Sequence, residues 1–334
     1  MRAFVLLVLA LCACAPSAAQ APIADQWRAL NVDAAPVELG AESIGRLVFR
    51  GGLDLRSDDP AFGGLSGIEA LDDNRVLAIS DDGKWFEARL VLDEQGALTG
   101  LADVRTALMR DENGEVFASK AAGDSEDLAQ LLDGRFAVSF EQTQSIRIYD
   151  LNRDGPFGAA RAGPVLDHVS DLPPNVGLEA LTATSDGALL VGAEGGGRGA
   201  TRLWLAPLGA FAPVAPRIGY PLRPGYSLTS LDRLPDGGIV ALERFYAPVI
   251  GARARISMFP EAAINGDGDE VDGVELLGSI APPLAVDNFE GITATRMPDG
   301  ATRIYTVSDN NFSGGQRTLL LAFDVVVENA PAAN

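Results

Sequence analysis

Polar and acidic side chains recur at two positions in five similar segments of this 334-residue chain. Each segment contains a β-type run, a turn that in most segments ends in Asp-Gly, and a second β-type run. The start of the first run is occupied by Ser66, Glu126, Glu179, Thr229 and Glu290. At the end of the second run stand Asp81, Glu141, Glu194, Glu243 and Asp309. All ten side chains offer oxygen atoms, so the pattern predicts one site assembled from several repeats.

Carboxylates gathered in one place indicate a cation site or shared protons, because they cannot all stay ionised without compensation. Oxygen donors without His or Cys favour Ca²⁺ or Mg²⁺ over zinc or copper. The candidate metal ligands are Glu69, Asp81, Asp82, Glu126, Glu179, Glu290 and Asp309. Candidates for a ligand or general-base role are Glu141, Glu194 and Glu243. Candidates for binding an anionic substrate are Lys84, Arg135, Arg244 and Arg317.

The repeats are uneven, since Ser66 and Thr229 stand where the other three have Glu. We therefore expect the metal, for which Ca²⁺ is our prediction, to lie off-centre, nearer the repeats that begin at Glu126, Glu179 and Glu290. The structural alternative is that these acids cap turns, or accept hydrogen bonds from backbone amides of neighbouring repeats.

Composition disfavours several other functions. His168 is the single histidine, and Cys12 and Cys14 both lie near the N-terminus, which excludes a multi-histidine zinc site and leaves no thiol nucleophile in the rest of the chain. No Gly-x-Ser-x-Gly motif is present. The formal net charge of −20 repels phosphate backbones, so nucleic acid is not an expected partner.

The elements that carry these residues are predicted to be β-hairpins. Asp-Gly turns favour tight hairpins, and a third strand follows in every repeat. Units of three or four strands recurring about every 50 residues are typical of an all-β β-propeller. We expect six blades, with five to seven as the range, over residues 43–328, and a tandem immunoglobulin-like array as the alternative. In a hairpin, the first strand begins where the second ends, which places both acidic positions on one face.

The ends of the chain are predicted to lie outside this domain. Residues 1–19 have the charged start and short apolar run of a signal peptide. In one alternative, the sequence around Cys14 is a lipobox, and a lipid on Cys14 is then the only membrane attachment. Residues 20–42 are expected to be a linker and 329–334 a tail. The protein is thus expected in the periplasm or outside the cell.

Several segments resemble the family described as esterase-like activity of phytase. They are Gly64-Leu-Ser-Gly-Ile-Glu-Ala70, Ala78-Ile-Ser-Asp-Asp-Gly83, Asp124-Ser-Glu-Asp-Leu128, Gly177-Leu-Glu-Ala-Leu181, Asp287-Asn-Phe-Glu-Gly-Ile292 and Tyr305-Thr-Val-Ser-Asp-Asn310. The resemblance covers roughly residues 45–325 and implies an exported bacterial propeller with phosphoester or ester hydrolysis. We therefore expect a Ca²⁺-dependent phosphoester hydrolase acting on a small anionic substrate. The alternatives are a metal-assisted esterase or lactonase and a non-catalytic binding or scaffold propeller.

Overall fold

The computed structural model describes residues 27–173, 176–195 and 199–326. The predicted signal peptide with Cys14 and the predicted tail at 329–334 lie outside the described residues. Among those described, no helix has the length and apolar character needed to cross a membrane.

The described chain is almost entirely β-structure. Its strands, in chain order, are β1 (Arg28–Ala29), β2 (Asp33–Pro36), β3 (Ser43–Ile44), β4 (Leu47–Arg56), β5 (Leu65–Ala70), β6 (Arg75–Ser80), β7 (Lys84–Leu92), β8 (Leu98–Leu108), β9 (Ser125–Gln130), β10 (Phe136–Phe140), β11 (Ser145–Tyr149), β12 (Arg161–Ala162), β13 (Leu178–Ala183), β14 (Ala188–Ala193), β15 (Ala200–Pro207), β16 (Ile218–Pro221), β17 (Tyr226–Arg233), β18 (Gly238–Ala247), β19 (Gly251–Pro260), β20 (Glu275–Ile280), β21 (Asn288–Arg296), β22 (Thr302–Asp309) and β23 (Thr318–Val325). The helical pieces are α1 (Leu151–Asp154) and the 3₁₀ turns Lys120–Ala122, Gly155–Phe157, Val169–Asp171 and Glu261–Asn265.

The described strands form five antiparallel sheets, which are the blades of a propeller. The first strand of each blade is innermost, and β5, β9, β13, β17 and β21 contact one another in a closed ring. An all-β propeller is therefore confirmed. Blades 1 to 5 are numbered here in the order of those inner strands.

Blade 5 is closed by the N-terminal part of the chain. Strand β4 pairs with β23, so the strand material before the first repeat completes the last blade instead of starting another. Our preference for six blades is wrong for this reason, and the number is five, within the predicted range. Two short strands of the predicted linker also pair, β1 with β8 and β2 with β4.

The core lies between neighbouring blades. Five apolar clusters are present among the described residues, and each is built from two adjacent blades around the ring. Because both faces of a blade are covered, strands such as β13 and β14 are buried along their whole length. This packing brings the five inner strands together around the propeller axis.

The hairpin turns lie at the end of the blades opposite the acidic positions. Gly134, Gly187, Gly237 and Gly300 have positive φ in these turns, as a tight turn requires. In blade 1 the non-glycine Asn74 takes this conformation, with a φ of 57°. Each inner strand therefore begins at the other end, where it is level with the end of the second strand.

Candidate functional site

Strand register determines which residues are equivalent in the five blades. Leu178 pairs with Ala193 in blade 3 and Phe289 pairs with Ser308 in blade 5, each at the start of an inner strand. The residues that follow these pairs are the predicted acidic positions, such as Glu179 and Glu194. Each inner strand has a register shift here, which locally disrupts the ladder.

In blade 4 the same register gives a different residue. Leu228 pairs with Glu243, so Glu243 is equivalent to Ala193, and the position of Glu194 is occupied by Arg244. A shift of one residue turns a side chain to the other face of a strand. Arg244 therefore reaches the propeller mouth while Glu243 does not.

Eight carboxylates and two cations form what we call the mouth cluster. Its members are Asp81, Asp124, Glu126, Glu141, Glu179, Glu194, Glu290, Asp309, Lys120 and Arg244. Among the described residues, one group of three acids has the spacing to hold a metal ion: ligand oxygens of Asp124, Glu126 and Glu141 lie within 4.8 Å of one another. The structure thus brings together most of the predicted acidic positions at one mouth.

The two cations each bridge a pair of acids. Arg244 contacts Glu194 at 3.1 Å and Glu290 at 3.0 Å. Lys120 Nζ lies 2.9 Å from Asp81 Oδ2 and 2.8 Å from Asp124 Oδ1. Eight carboxylates against two cations still leave a strong excess of acid in a partly buried space.

Burial and mutual repulsion raise the pKa values of this cluster. Burial is the largest cause for Glu126 and Glu179, whose pKa values lie well above the usual range, and neighbouring carboxylates raise them further. Burial likewise raises the pKa of Glu290 to about 7, with Arg244 opposing and Asp309 and Glu194 adding to the shift. The pKa of Asp309 is raised to about 6 by burial, with a contribution from Asp81.

Two oxygen atoms of the mouth cluster are buried without a partner. Glu290 Oε2 and Asp81 Oδ1 have no hydrogen-bond donor among the described residues. The carboxylates of Glu126 and Glu179 lie near other carboxylates of the cluster, whose charges raise their pKa values. A buried polar atom without a partner is costly, so these oxygens fit a site that a cation completes.

Three of the predicted site residues lie elsewhere. Glu243 is buried beside the outer strands, where it accepts hydrogen bonds from Tyr220, Ser257 and Arg255. Arg135 follows the β9–β10 turn at the far end of its blade and pairs with Asp133 of that turn. Glu69 lies inside the channel near Asp127 and Asp232. These three side chains are close in sequence to the acidic positions of the repeats, but they do not lie at the mouth.

The other three predicted residues lie on the rim. Lys84 pairs with Asp82, and its ammonium is also 5.7 Å from the centre of the Phe312 ring. Ser80 donates a hydrogen bond of 2.6 Å to the same Asp82 carboxylate. Arg317 lies 3.6 Å from Asp287, beside the start of β21. No ion pair joins any of the three to an acid or cation of the mouth cluster in the described structure, although the charge of Asp82 adds to that around its neighbour Asp81.

A second set of polar groups, buried or half-buried, fills the channel below the mouth, and we call it the axial network. It consists of Glu69, Asp127, Thr182, Ser230, Asp232 and Thr293. Asp127 Oδ2 accepts hydrogen bonds from the amide of Leu181, at 2.9 Å, and from the hydroxyl of Ser230, at 3.0 Å. Three successive blades are joined by this one carboxylate.

The lower part of the axial network continues around the ring. Asp232 Oδ2 accepts hydrogen bonds from the Thr293 hydroxyl, at 3.0 Å, and from the Ala294 amide, at 2.6 Å. The amide of Ala70 in blade 1 donates to Thr293 at 2.9 Å. All five blades are therefore linked by hydrogen bonds across the channel.

Sequence reasoning missed Asp124 and Lys120. Asp124 stands two residues before Glu126, and its backbone carbonyl accepts the amide of Glu141, which fixes both acids at one hairpin end. A constant offset would have placed Arg244, and not Glu243, at the second position of its repeat, because Arg244 lies seven residues after the turn glycine Gly237, as Glu141 follows Gly134 and Glu194 follows Gly187. Lys120 lies in a loop without a repeat counterpart, so no spacing pointed to it.

A cavity of about 590 Å³ lies beside the mouth cluster, between blades 4 and 5. Arg244 and Asn288 line the side nearest the cluster, and Tyr246 and Gln316 line other parts. Strand β18 extends beyond Arg244 to Ala247, so its hairpin with β19 provides one wall. A small substrate could approach the carboxylates from this side.

Comparisons with known proteins found one family and several solved structures that this chain resembles. Residues 60–312 match the family model described as Phytase-like: Esterase-like activity of phytase, which is more than half of the chain. A gluconolactonase structure from Xanthomonas campestris has 11% identity and a TM-score of 0.45, covering 89% of this chain and 99% of its own. A PQQ-bound aldose sugar dehydrogenase from Streptomyces coelicolor has 13% identity and a TM-score of 0.41, covering 88% and 98%. No curated protein sequence matches.

Proposed function

The chain belongs to the Phytase-like family, and from this premise we propose that it is a Ca²⁺-dependent phosphoester hydrolase whose site is the mouth cluster. The protein is proposed to act outside the cytoplasm, for which the signal-like sequence of residues 1–19 is the support. Its substrate is proposed to be a small phosphate ester that enters beside Arg244.

The observation that carries this proposal is the excess of carboxylate at one mouth. Eight acids share two cations, and the buried oxygens Glu290 Oε2 and Asp81 Oδ1 lack partners among the described residues. Hard oxygen donors of this kind suit Ca²⁺, which accepts six to eight oxygen ligands. Asp124, Glu126 and Glu141 are the residues best spaced to hold it.

A bound Ca²⁺ supplies positive charge that stabilises the negative charge developing on a phosphoryl oxygen. The chain's own residues then have separable roles. Glu141 is half-buried at the mouth, and burial raises the pKa of its carboxyl, which brings it closer to the range of a general base. Arg244 provides a fixed guanidinium next to the cavity, where it can orient an anionic group.

The proposal is tested first by cation binding. Calorimetric titration of the purified protein with Ca²⁺ and Mg²⁺ is paired with melting curves in Ca²⁺ and in EDTA. We expect Ca²⁺ to raise the melting temperature. We expect a Glu179→Gln/Glu290→Gln variant to bind Ca²⁺ at least about ten times more weakly, because both carboxylates interact with Glu126 and add to the negative charge around the proposed site. The control, Glu94→Gln/Glu115→Gln, removes the same charge from exposed side chains and should bind normally.

Hydrolysis is tested on the same proteins with p-nitrophenyl phosphate and p-nitrophenyl acetate. Phosphatase activity that requires Ca²⁺ and is lost in the Glu179→Gln/Glu290→Gln variant supports the proposal. Ca²⁺ binding with cleavage of the acetate alone would replace it by a carboxylester hydrolase. Absence of both Ca²⁺ binding and turnover would leave the cluster without the proposed role.

A further inference from the structure

Lys120 occupies a position that resembles a cation site. Its ammonium has three oxygen neighbours: Asp81 Oδ2 at 2.9 Å, Asp124 Oδ1 at 2.8 Å and the backbone oxygen of Asp81 at 3.2 Å. Hydrogen bonds to the two acids raise the Lys120 pKa, which keeps its side chain charged, although burial alone would lower it. The same place also contains Asp81 Oδ1, which is buried and lacks a partner among the described residues.

Asp124 belongs to two arrangements at once. It is an ion-pair partner of Lys120 and also one of the three acids, with Glu126 and Glu141, that are spaced to hold a metal. A divalent cation on that group needs the Asp124 carboxylate, and the Lys120 ammonium repels a second cation a few ångströms away. The two positive charges therefore compete for one carboxylate.

The local structure allows Lys120 to leave. Its side chain is 57% exposed and lies on a single 3₁₀ turn, Lys120–Ala122, that ends at Gly123 just before Asp124. A lysine side chain is long and flexible, so its ammonium can move into water without a change in the backbone. Arg244, in contrast, is mostly buried and bridges two acids from neighbouring blades.

We infer that Lys120 is an internal counter-ion of the mouth cluster, which holds Asp81 and Asp124 when Ca²⁺ is absent and is displaced when Ca²⁺ binds. This inference rests on the proposed function. It assigns Lys120 a role in setting the affinity for the cation, and it places the released ammonium at the mouth, where it can bind the anionic group of a substrate. The ion pairs of Lys120 and the Ca²⁺ complex are then mutually exclusive states.

The inference is tested by Ca²⁺ calorimetry on Lys120→Met, which keeps an apolar stem and removes the charge. We expect binding at least about five times tighter than in the wild type, because a coupling between two sites commonly changes affinity by this factor or more. Lys120→Gln, which keeps a hydrogen-bond donor, should bind with intermediate affinity. Arg89→Met is the control, since Arg89 loses the same charge from an exposed ion pair with Asp103.

Melting curves provide a second readout that is independent of activity. Without Ca²⁺, Lys120→Met should melt below the wild type, because Asp81 and Asp124 lose their counter-ion. At saturating Ca²⁺ the difference should disappear, because Lys120 is displaced in both states.

The outcomes separate this inference from the proposed function. Tighter binding in Lys120→Met, with Arg89→Met unchanged, supports the counter-ion role. Binding that is unchanged or weaker in Lys120→Met overturns the counter-ion role and leaves the Ca²⁺ site intact. Absence of Ca²⁺ binding in the wild type and in both Lys120 variants overturns the metal site and the counter-ion role together.

Discussion

The mouth cluster and the axial network both contain buried and half-buried carboxylates, yet their surroundings differ. In the axial network, amides and hydroxyls of other blades donate hydrogen bonds to Asp127 and Asp232. In the mouth cluster, the carboxylates mainly face one another, and oxygens of Glu290 and Asp81 lack donors within the described residues. The two groups lie in the same channel, one below the other.

This difference indicates which acids hold the propeller together. A buried carboxylate with several donors stabilises the fold, because its removal leaves those donors without a hydrogen-bond acceptor. A buried carboxylate among like charges destabilises the fold until a cation binds, and such uncompensated groups are characteristic of functional sites. The contacts of each side chain therefore divide the acidic residues of this chain between support of the fold and the proposed cation site.

The largest expected effect is on the axial network. Asp127→Ala removes the acceptor of the Leu181 amide and the Ser230 hydroxyl, and we expect it to lower the free energy of unfolding by about 4 kcal/mol. Urea denaturation measures the change. Asp72→Ala, in an exposed turn, should change stability by less than about 0.5 kcal/mol. If Asp127→Ala lowers the free energy of unfolding as little as the Asp72→Ala control does, the distinction between the two regions is wrong.

A smaller effect is expected from pH in the absence of Ca²⁺. Burial raises the pKa of Glu290 from 4.5 to about 7, so the folded protein binds more protons than the unfolded chain between these values. The stability from this protonation is full below pH 4.5 and is lost as pH rises through 7, a decrease of about 3 kcal/mol.

Asp232 of the axial network shifts in the same direction, because burial raises its pKa to about 6. The two regions are therefore separated by measuring the pH dependence with and without Ca²⁺, and in the Glu179→Gln/Glu290→Gln variant. Ca²⁺ should remove the part of the pH dependence that comes from the mouth cluster, and the double substitution should remove the part that comes from Glu179 and Glu290. The part that comes from Asp232 should remain in both cases. If stability depends on pH in the same way in all three conditions, the titrating groups lie outside the mouth cluster.

The smallest expected effect has the opposite sign to that of Asp127→Ala. Glu179→Gln removes one repelling charge from the mouth cluster, so we expect the Ca²⁺-free protein to gain about 1 kcal/mol in unfolding free energy at pH 7.5. Urea denaturation in EDTA measures it, beside Glu115→Gln as an exposed control. A clear loss of stability would mean that Glu179 supports the fold, as Asp127 does.

The sequence by itself determined the repeat, the hairpin with its turn, and the face that carries the first acidic position. Glu126, Glu179 and Glu290 meet at one mouth because each begins an equivalent inner strand. Local propensity and a fixed repeat length are enough for this, since antiparallel pairing brings strand starts and hairpin ends together.

Only the tertiary structure decided the remaining features. The number of blades depends on the pairing of β4 with β23, a contact between the two ends of the described chain. Register confirmed that Arg244 and not Glu243 reaches the mouth, as the offset of seven residues from the turn glycine indicates, because one residue along a strand reverses the side chain. The ring is supported by Glu69, Asp127 and Asp232, because their hydrogen-bond donors lie on other blades. Lys120 lies at the mouth because a loop without a counterpart in the other repeats places it there. Such contacts join residues far apart in the chain, so no local pattern encodes them.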